Sequence, residues 1–269
     1  MFETIKTIIN EHKSYKKQIF MLAKSDLIKT YRGAALGWAW AVIKPSVTLF
    51  VFWFAFTIGL RHGKPIAGYP YFLWLVAGFL PWFYMKDLIT GGAACIRKYK
   101  HLVTKMKFPI SIIPTYFNLS HLYTHLALLA ISIVLFICFG FLPDKYVLQI
   151  PVYMLMMVLF FTVWALLAGL LSCISKDFQN MVTAFSSAIF WLSGIIYNIE
   201  DIQNSTIRTI LKFNPVTVIS SGYRNSLIYK RWFWEDKSSM LCFGITFLVF
   251  TVLSLRAYKK LREEIPDVL

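Results

Sequence analysis

Long apolar stretches separated by short polar segments are the main pattern of this chain. Each stretch is about 20 residues or longer, the length that a helix needs to cross the hydrocarbon core of a bilayer. Backbone polar groups in lipid must find partners within the chain, so we expect these stretches to be helices. Six spans are predicted, at residues 34–60, 70–92, 108–140, 147–174, 178–199 and 239–258.

The segments outside the spans carry weaker patterns. Residues 2–32 have apolar positions at helical spacing with lysines between them, which predicts an amphipathic helix at the membrane interface, with a solvated helix as the alternative. The 198–237 segment is too long and too apolar for a free loop, and we expect short helices that re-enter the membrane.

The predicted fold is therefore an all-α integral membrane protein with six transmembrane helices. We divide it into an interface helix at 1–33, a transmembrane domain at 34–258 and a cytoplasmic tail at 259–269.

The distribution of basic residues predicts the orientation of the chain in the membrane. The formal net charge is +15, which in a soluble protein would suggest binding to nucleic acid. Here the cations are concentrated before the first span, between spans two and three, and after the last span. The positive-inside rule then places both termini in the cytoplasm, which agrees with an even number of spans. We expect no nucleic-acid partner.

Motifs for chemistry are scarce. The chain has no G-x-x-x-x-G-K-[ST] loop, so we do not expect it to hydrolyse ATP itself. His121 and His125 lie four residues apart, as metal ligands can, but the neighbouring Asn118 and Ser120 favour a polar contact between helices. We expect no metal site. The acidic residues are scattered and absent from the span centres, which argues against a membrane-embedded transferase and against an ion-coupled secondary transporter.

Two spans contain polar residues that could line a path. Lys44 and Pro45 lie about ten residues into the first predicted span, where a charge usually faces a pathway or a partner. If the span instead begins nearer Gly37, Lys44 could extend to the headgroups. Span five is rich in small and hydroxylated residues, which permit close helix packing or line a wet path.

Four stretches, taken in order, carry a resemblance to one family. They are YRGAALGWAWAVIKP at 31–45, KMKFPISIIPT at 105–115, SKDFQ at 175–179 and FNPVTVISSGYR at 213–224. On these stretches the chain looks like the membrane subunit of type-2 ABC exporters of polysaccharides and polyol phosphates, a group that includes teichoic acid, O-antigen and capsule permeases. The stretches GYPYFLWLVAGFLPWFY and KHLVTKMKFPISIIPTY look closest to the teichoic acid branch.

The resemblance implies partners and a location. It implies a homodimer in the bacterial inner membrane, with two copies of a separate ATPase subunit that binds ATP and Mg²⁺, and no cofactor on this chain. The implied substrate is a polymer linked to undecaprenyl pyrophosphate, with wall teichoic acid foremost. An O-antigen or capsular polysaccharide is the alternative, and a type-2 exporter of drugs or small molecules shares the fold.

The resemblance also implies roles for particular residues. Contact with the ATPase is expected at Arg97, Lys98, Tyr99, Lys100, Lys105, Lys107, Lys176 and Asp177. Binding of the lipid pyrophosphate is expected at Lys24, Lys29, Tyr31 and Arg32. The translocation path is expected at Trp38, Lys44, Ser186, Ser187 and Ser193. An external gate is expected at Tyr223, Arg224, Tyr229 and Trp232.

Overall fold

The described part of the chain is almost entirely helical. The computed structural model describes residues 2–59, 64–106 and 108–269. Within these ranges, extended pairing is limited to an isolated bridge between Ile66 and Tyr69. The predicted all-α class is confirmed.

The N-terminal region forms two helices rather than the single predicted one. Helix α1 spans Phe2–Ser14 and α2 spans Lys16–Tyr31, with a break at Tyr15. Ile19 and Ala23 on α2 face the protein and are buried. Helix α2 is therefore packed against the helix bundle and does not lie only at the membrane interface.

Helices α3 to α5 make up the first two predicted spans. α3 covers Trp40–Phe54 within a longer helical run, Gly37–Gly59. α4 covers Tyr71–Lys98, and after a break the short α5 covers Lys100–Met106. The second span was predicted to end at residue 92, whereas α4 continues to Lys98.

Helices α6 to α8 follow. α6 spans Ile112–Cys138, α7 spans Ile150–Ile174 and α8 spans Lys176–Leu192. α7 and α8 are separated only by Ser175. α8 ends where Gly194 adopts φ 66°, a left-handed conformation that terminates helices.

The last part of the chain contains two short helices and a long one. α9 spans Ser205–Lys212 and α10 spans Pro215–Arg224, so the predicted short helices in the 198–237 segment are present. α11 spans Lys237–Leu261. The four-residue α12, Ile265–Val268, packs back against α5 and α7, so the predicted tail is docked on the bundle.

Five helical segments in the described ranges are long and apolar enough to cross a membrane, where the sequence predicted six. The missing one is the predicted span at 178–199. With 17 residues α8 is about 26 Å long, short of a hydrocarbon core of about 30 Å. The other four predicted spans correspond to α4, α6, α7 and α11. Their bounds agree to within a few residues except at the end of α4, which reaches Lys98 rather than residue 92, and the first span begins at Gly37 rather than at residue 34.

Helix α4 is the centre of the bundle. It packs against α3, α6, α7, α8 and α10, and 78% of its apolar stretch is buried within the protein. Small residues let α7 approach closely: Gly92 faces Ala165, and Gly169 faces Ile96. By contrast, none of the described residues of α3 is buried. The bundle therefore has a packed centre and a side on which α3 and much of α8 are exposed.

Candidate functional site

A polar groove opens between α2, α3, α4 and α6. Its volume is about 300 Å³. Charged and aromatic side chains line it together, which is the composition expected of a site for a charged ligand. The charged or polar side chains that line this polar groove include Tyr31, Lys44, Lys86, Asp87 and His121.

Lys44 lies in this groove near the start of α3. Its Nζ is 5.8 Å from the centre of the Trp40 ring, within the range of a cation–π contact. Because the span begins at Gly37, Lys44 is about 10 Å along the helix rather than 15 Å. This is the shallower of the two placements considered from the sequence. Pro45 has no N–H to donate to the carbonyl of Ala41, which therefore lacks its usual helical partner, and both residues line the groove.

An apolar cleft of about 200 Å³ adjoins the polar groove. It runs between α3, α4 and α6 and shares Pro45, Phe83 and Leu128 with the groove. Side chains such as Leu49 and Leu135 line the rest of it. A polar and an apolar compartment are thus joined side by side, an arrangement that matches an amphiphile with a charged head and a hydrocarbon tail.

The residues predicted to bind lipid pyrophosphate are only partly gathered at this groove. Tyr31 lines it, and its ring packs 5.1 Å from that of Trp38, a predicted path residue that is otherwise exposed. Lys24, Lys29 and Arg32 are exposed outside it. Besides Lys44, the lysine that lines the groove is Lys86, which the sequence analysis did not select.

A buried carboxylate holds α2 to the bundle where α4 ends. Asp26 is 6% exposed and accepts hydrogen bonds from Tyr99 Oη and from Ser120 Oγ, the latter at 2.8 Å. Lys98 Nζ lies 3.7 Å from the same carboxylate. We call this cluster the Asp26 joint. It connects three segments: α2, the break between α4 and α5, and α6.

The residues predicted to contact an ATPase fall into two groups. Arg97 donates to the carbonyl of Cys173 at 3.3 Å, while Lys98 and Tyr99 belong to the Asp26 joint. These three are engaged within the protein. Lys98 nevertheless keeps 54% of its side chain exposed. The other exposed members are Lys100, Lys105, Lys176 and Asp177. Lys107 lies outside the described residues.

The three serines predicted to line a path have different surroundings. Ser187 is exposed on α8, and Ser186 is partly exposed with its hydroxyl bonded to Thr183 O at 2.7 Å. Ser193 is fully buried and accepts a hydrogen bond from Asn214 Nδ2 at 2.7 Å. Ser193 therefore ties the end of α8 to the start of α10.

Arg224 anchors α10 to the bundle. Its guanidinium donates to Gly194 O at 2.6 Å, to Ile195 O and to Trp74 O at 3.4 Å. The guanidinium carbon lies 3.4 Å from the centre of the Trp74 ring. Burial lowers the pKa of Arg224 to about 9, and the nearby phenols oppose this shift. The side chain still carries its charge at neutral pH. We call this cluster the Arg224 anchor.

The other predicted gate residues lie close to Arg224. Tyr223 is fully buried and shares a hydrogen bond of 2.7 Å with His125 Nε2, and Tyr229 accepts one of 2.9 Å from Trp74 Nε1. Trp232, on the turn before α11, lines a cavity together with Arg224 and Tyr229, and its ring is stacked on Trp234 at 4.7 Å.

Sequence comparison identifies the family. A family model described as "ABC-2 type transporter" matches residues 17–228, which is most of the chain and includes the groove, the Asp26 joint and the Arg224 anchor. The chain belongs to the ABC-2 type transporter family.

Curated relatives of this ABC-2 chain carry one printed name. It is 24% identical over 261 residues to the O-antigen export system permease protein RfbA of Myxococcus xanthus, covering 97% of this chain and 98% of the relative. A protein of the same name from Klebsiella pneumoniae is 21% identical over 252 residues, covering 93% and 94%. The predicted membership in an ABC exporter family is confirmed, and these names refer to O-antigen rather than to teichoic acid.

The sequence analysis missed several residues of the groove and of the buried polar clusters in this ABC-2 chain. Asp26 shares a face of α2 with the buried Ile19 and Ala23, at the spacing i, i+4 and i+7, which could have indicated a carboxylate facing the protein. Asp87, in the latter half of α4, was not selected, because a carboxylate near the end of a predicted span indicates no particular role. The partners of Arg224 are backbone carbonyls, which carry no sequence signal.

Proposed function

We propose that this chain is the permease subunit of an ATP-driven exporter that moves a lipid-linked polysaccharide from the cytoplasmic to the outer leaflet. The observation that carries the proposal is the polar groove joined to the apolar cleft. Lys44 and Lys86 supply cations for a pyrophosphate, while the cleft accommodates part of a polyprenyl tail. Export needs a site weak enough to release its cargo, and the open, mixed lining of the groove suits that requirement.

The polymer class is proposed from the relatives. Their printed names refer to O-antigen export, and their matches cover nearly the whole chain. An undecaprenyl-pyrophosphate-linked polysaccharide is therefore the leading substrate. A polyol phosphate such as wall teichoic acid is the second candidate, favoured by the resemblance of the stretches around α4 and α5.

The proposed motor is a separate ATPase, present in two copies, that binds ATP and Mg²⁺. Its contact surface on this chain would include the exposed Lys100 and Lys105 of α5 and the Lys176–Asp177 turn. The Asp26 joint adjoins α5 through Tyr99, and Tyr31 of α2 lies little more than one helical turn beyond Asp26 in the groove. A movement of α5 could thus reach the groove through α2.

We also propose that two copies of the chain pair through the exposed side formed by α3 and α8. Large apolar side chains such as Phe50, Phe54 and Phe185 are exposed there. In this arrangement α8 is the sixth membrane segment, its short length being completed by the largely buried 193–199 stretch, and Ser186 and Ser187 lie beside the path. The 198–237 segment closes the path externally, both termini are cytoplasmic, and the protein resides in the bacterial inner membrane.

The test begins with the native complex. The tagged chain is purified from its own cells, and we expect a nucleotide-binding subunit to copurify, with ATPase activity that a polyprenyl-pyrophosphate glycan stimulates. Deletion of the gene should retain the polymer inside the cell. Copurification of no ATPase, or an unchanged distribution of surface polymer, would contradict the proposal. Stimulation by drugs but not by lipid-linked glycan would indicate a small-molecule exporter instead.

The Lys44→Gln variant tests the groove directly. Losing one charge-assisted contact to pyrophosphate should weaken half-maximal stimulation by the lipid about tenfold, while basal ATPase activity persists. Lys64→Gln is the matched control, because Lys64 is exposed in the loop before α4 and away from the groove. Equal stimulation of the two variants would rule out Lys44 as a headgroup ligand.

A further inference from the structure

A second cavity, which we call the loop cavity, lies at the opposite end of the bundle from the Asp26 joint. It has a volume of about 600 Å³, inside the range typical of ligand pockets. The walls are the short helical turn Ile199–Asp201, the helices α9 and α10, and the turn that leads into α11. On the proposed topology this cavity faces the outside of the cell.

The walls of the loop cavity are held by specific bonds. Lys212 Nζ pairs with Glu200 at 3.2 Å and with Asp236 at 3.3 Å, which connects α9 to the start of α11. Gln149 Nε2 donates to Arg231 O at 2.7 Å and fixes the turn from outside. Glu235 Oε1 accepts from the backbone N–H of Trp232 at 3.2 Å, which holds this carboxylate on the turn. A cavity with fixed walls loses little conformational entropy when a ligand binds.

The charges of the loop cavity disfavour an anionic ligand. Four carboxylates line it: Glu200, Asp201, Glu235 and Asp236. Of its cations, Lys212 is already paired with two carboxylates, and the guanidinium of Arg224 is bound to backbone carbonyls. Arg231 is exposed and is the third cation of the lining, so the carboxylates exceed the lining cations by four to three. A polymer of phosphodiesters is disfavoured by this balance, whereas hydroxyl groups can both donate to carboxylates and accept from Arg231.

Aromatic rings complete the loop cavity. Tyr229 and Trp232 line it, and both rings are held in place. The hydroxyl of Tyr229 accepts from Trp74 Nε1 at 2.9 Å, and the ring of Trp232 is stacked on Trp234 at an interplanar angle of 9°. Rigid aromatic faces beside hydrogen-bonding groups suit a ligand with an apolar ring face and a polar edge, which is the character of a pyranose.

From this combination we infer that the loop cavity binds neutral sugar residues of the emerging glycan. The inference rests on the proposed function and narrows its substrate to a neutral polysaccharide over a polyol phosphate. The cavity would act after passage through the membrane, as a weak site that receives the chain and lets it move on.

Binding is measured by titration calorimetry on the purified full-length chain, without an ATPase. The probes are neutral oligosaccharides released by mild acid from the surface polysaccharide of the same cells, and a glycerol-phosphate oligomer of matched length. We expect the neutral probe to bind and the phosphate probe to bind at least about tenfold more weakly. Equal or tighter binding of the phosphate oligomer, or no binding of the neutral one, would overturn the inference.

Variants locate the site. Glu235→Gln keeps the shape and the acceptor for Trp232 N–H but removes the charge, and Trp232→Ala removes the ring face. Each should weaken binding of the neutral probe about tenfold, whereas Glu263→Gln, at an exposed carboxylate 82% accessible after α11, should not. Circular dichroism and thermal unfolding confirm that each variant is folded. Unchanged binding by a folded Glu235→Gln would place the saccharide elsewhere.

Export by the same variants in cells distinguishes the emerging polymer from a free external saccharide. We expect Glu235→Gln to slow the appearance of surface polymer while the lipid-stimulated ATPase remains. Normal export by a variant that no longer binds the probe would overturn the assignment to the emerging chain. If the wild-type complex exports normally and its chain binds no saccharide, the inference fails while the proposed function stands.

Discussion

The two ends of the bundle are stabilised by opposite charges that have different kinds of partner. At the end where α4 meets α5, the carboxylate of Asp26 accepts from two hydroxyl groups and approaches Lys98, all of them side chains. At the other end, the guanidinium of Arg224 donates to three backbone carbonyls and lies against Trp74. Both groups are buried, with exposures of 6% and 3%.

This difference concerns how freely each connection can rearrange. Side-chain partners such as Tyr99 and Ser120 can rotate and exchange, so the Asp26 joint can persist while its helices shift. Backbone carbonyls at the end of α8 move only when the helix end moves, so the Arg224 anchor holds α8, α10 and α4 as one unit. We expect the anchor to contribute more to stability and the joint to contribute more to motion.

The largest expected effect is at the anchor. Arg224→Lys should lower the free energy of unfolding by about 3 kcal/mol, because an ammonium cannot reach three carbonyls at once and leaves buried acceptors unpaired. Unfolding in detergent or nanodiscs measures the change. Arg208→Lys on α9 is the control, since Arg208 is at the surface with a single ion pair to Glu200. Similar losses in the two variants would mean that Arg224 is no anchor.

The second-largest effect is expected at Gly78 of α4, which the Arg224 guanidinium packs against. A side chain at Gly78 would overlap the Arg224 guanidinium, which is backed by the backbone of α8 and cannot retreat. Gly78→Ala should therefore destabilise the protein by about 2 kcal/mol despite the better helix propensity of alanine. Gly244→Ala on α11, where nothing lies within 4 Å of the added carbon, should be neutral or stabilising.

A smaller effect is expected at the joint. Asp26→Asn removes the charge that strengthens the bonds from Tyr99 and Ser120, and should cost about 1–2 kcal/mol. A double-mutant cycle with Tyr99→Phe should show a coupling of at least about 0.5 kcal/mol, since the two residues are in direct contact. The control pair, Glu263→Gln with Tyr99→Phe, should show additive changes in stability. Additive changes for Asp26→Asn with Tyr99→Phe would argue that the hydrogen bond between Tyr99 and Asp26 contributes nothing to stability.

The smallest effect is a dependence on pH near the loop cavity. Burial would raise the pKa of Asp236, but hydrogen bonds from Ser239 and Ser238 and the charge of Lys212 outweigh it, so the pKa lies below the usual 3.8. A depressed pKa stabilises the folded state fully above 3.8, and this contribution is lost as the pH falls through the lower folded value.

Lowering the pH from about 6 through 3.8 to below the folded pKa of Asp236 should therefore loosen the contact between α9 and α11, and tryptophan fluorescence can follow it through Trp232 and Trp234. Asp236→Asn should abolish this acid step, whereas Asp267→Asn in α12 should retain it. An acid step of the same size in Asp236→Asn would assign it to another group.

Much of the architecture could be predicted from the chain alone. Apolar length is a local property, so five spans were found, four of them to within a few residues, and the short helices around Pro215 were expected from a segment too apolar for a loop. The length of α8 was overestimated because the apolar run continues past Gly194, where the backbone turns. The family resemblance also followed from the order of local motifs, and the match over 17–228 confirmed it at the level of the family.

The polar contacts were decided only by the tertiary structure. Whether Asp26 is a surface charge or the centre of a joint depends on α2 lying beside α6, and whether Arg224 is a gate residue or an anchor depends on the carbonyls at the end of α8. Burying a charge is unfavourable unless its partners are in place, and those partners come from positions up to 150 residues away. A local apolar pattern determines which segments are transferred out of water, whereas the pairing of buried charges depends on which helices pack against each other.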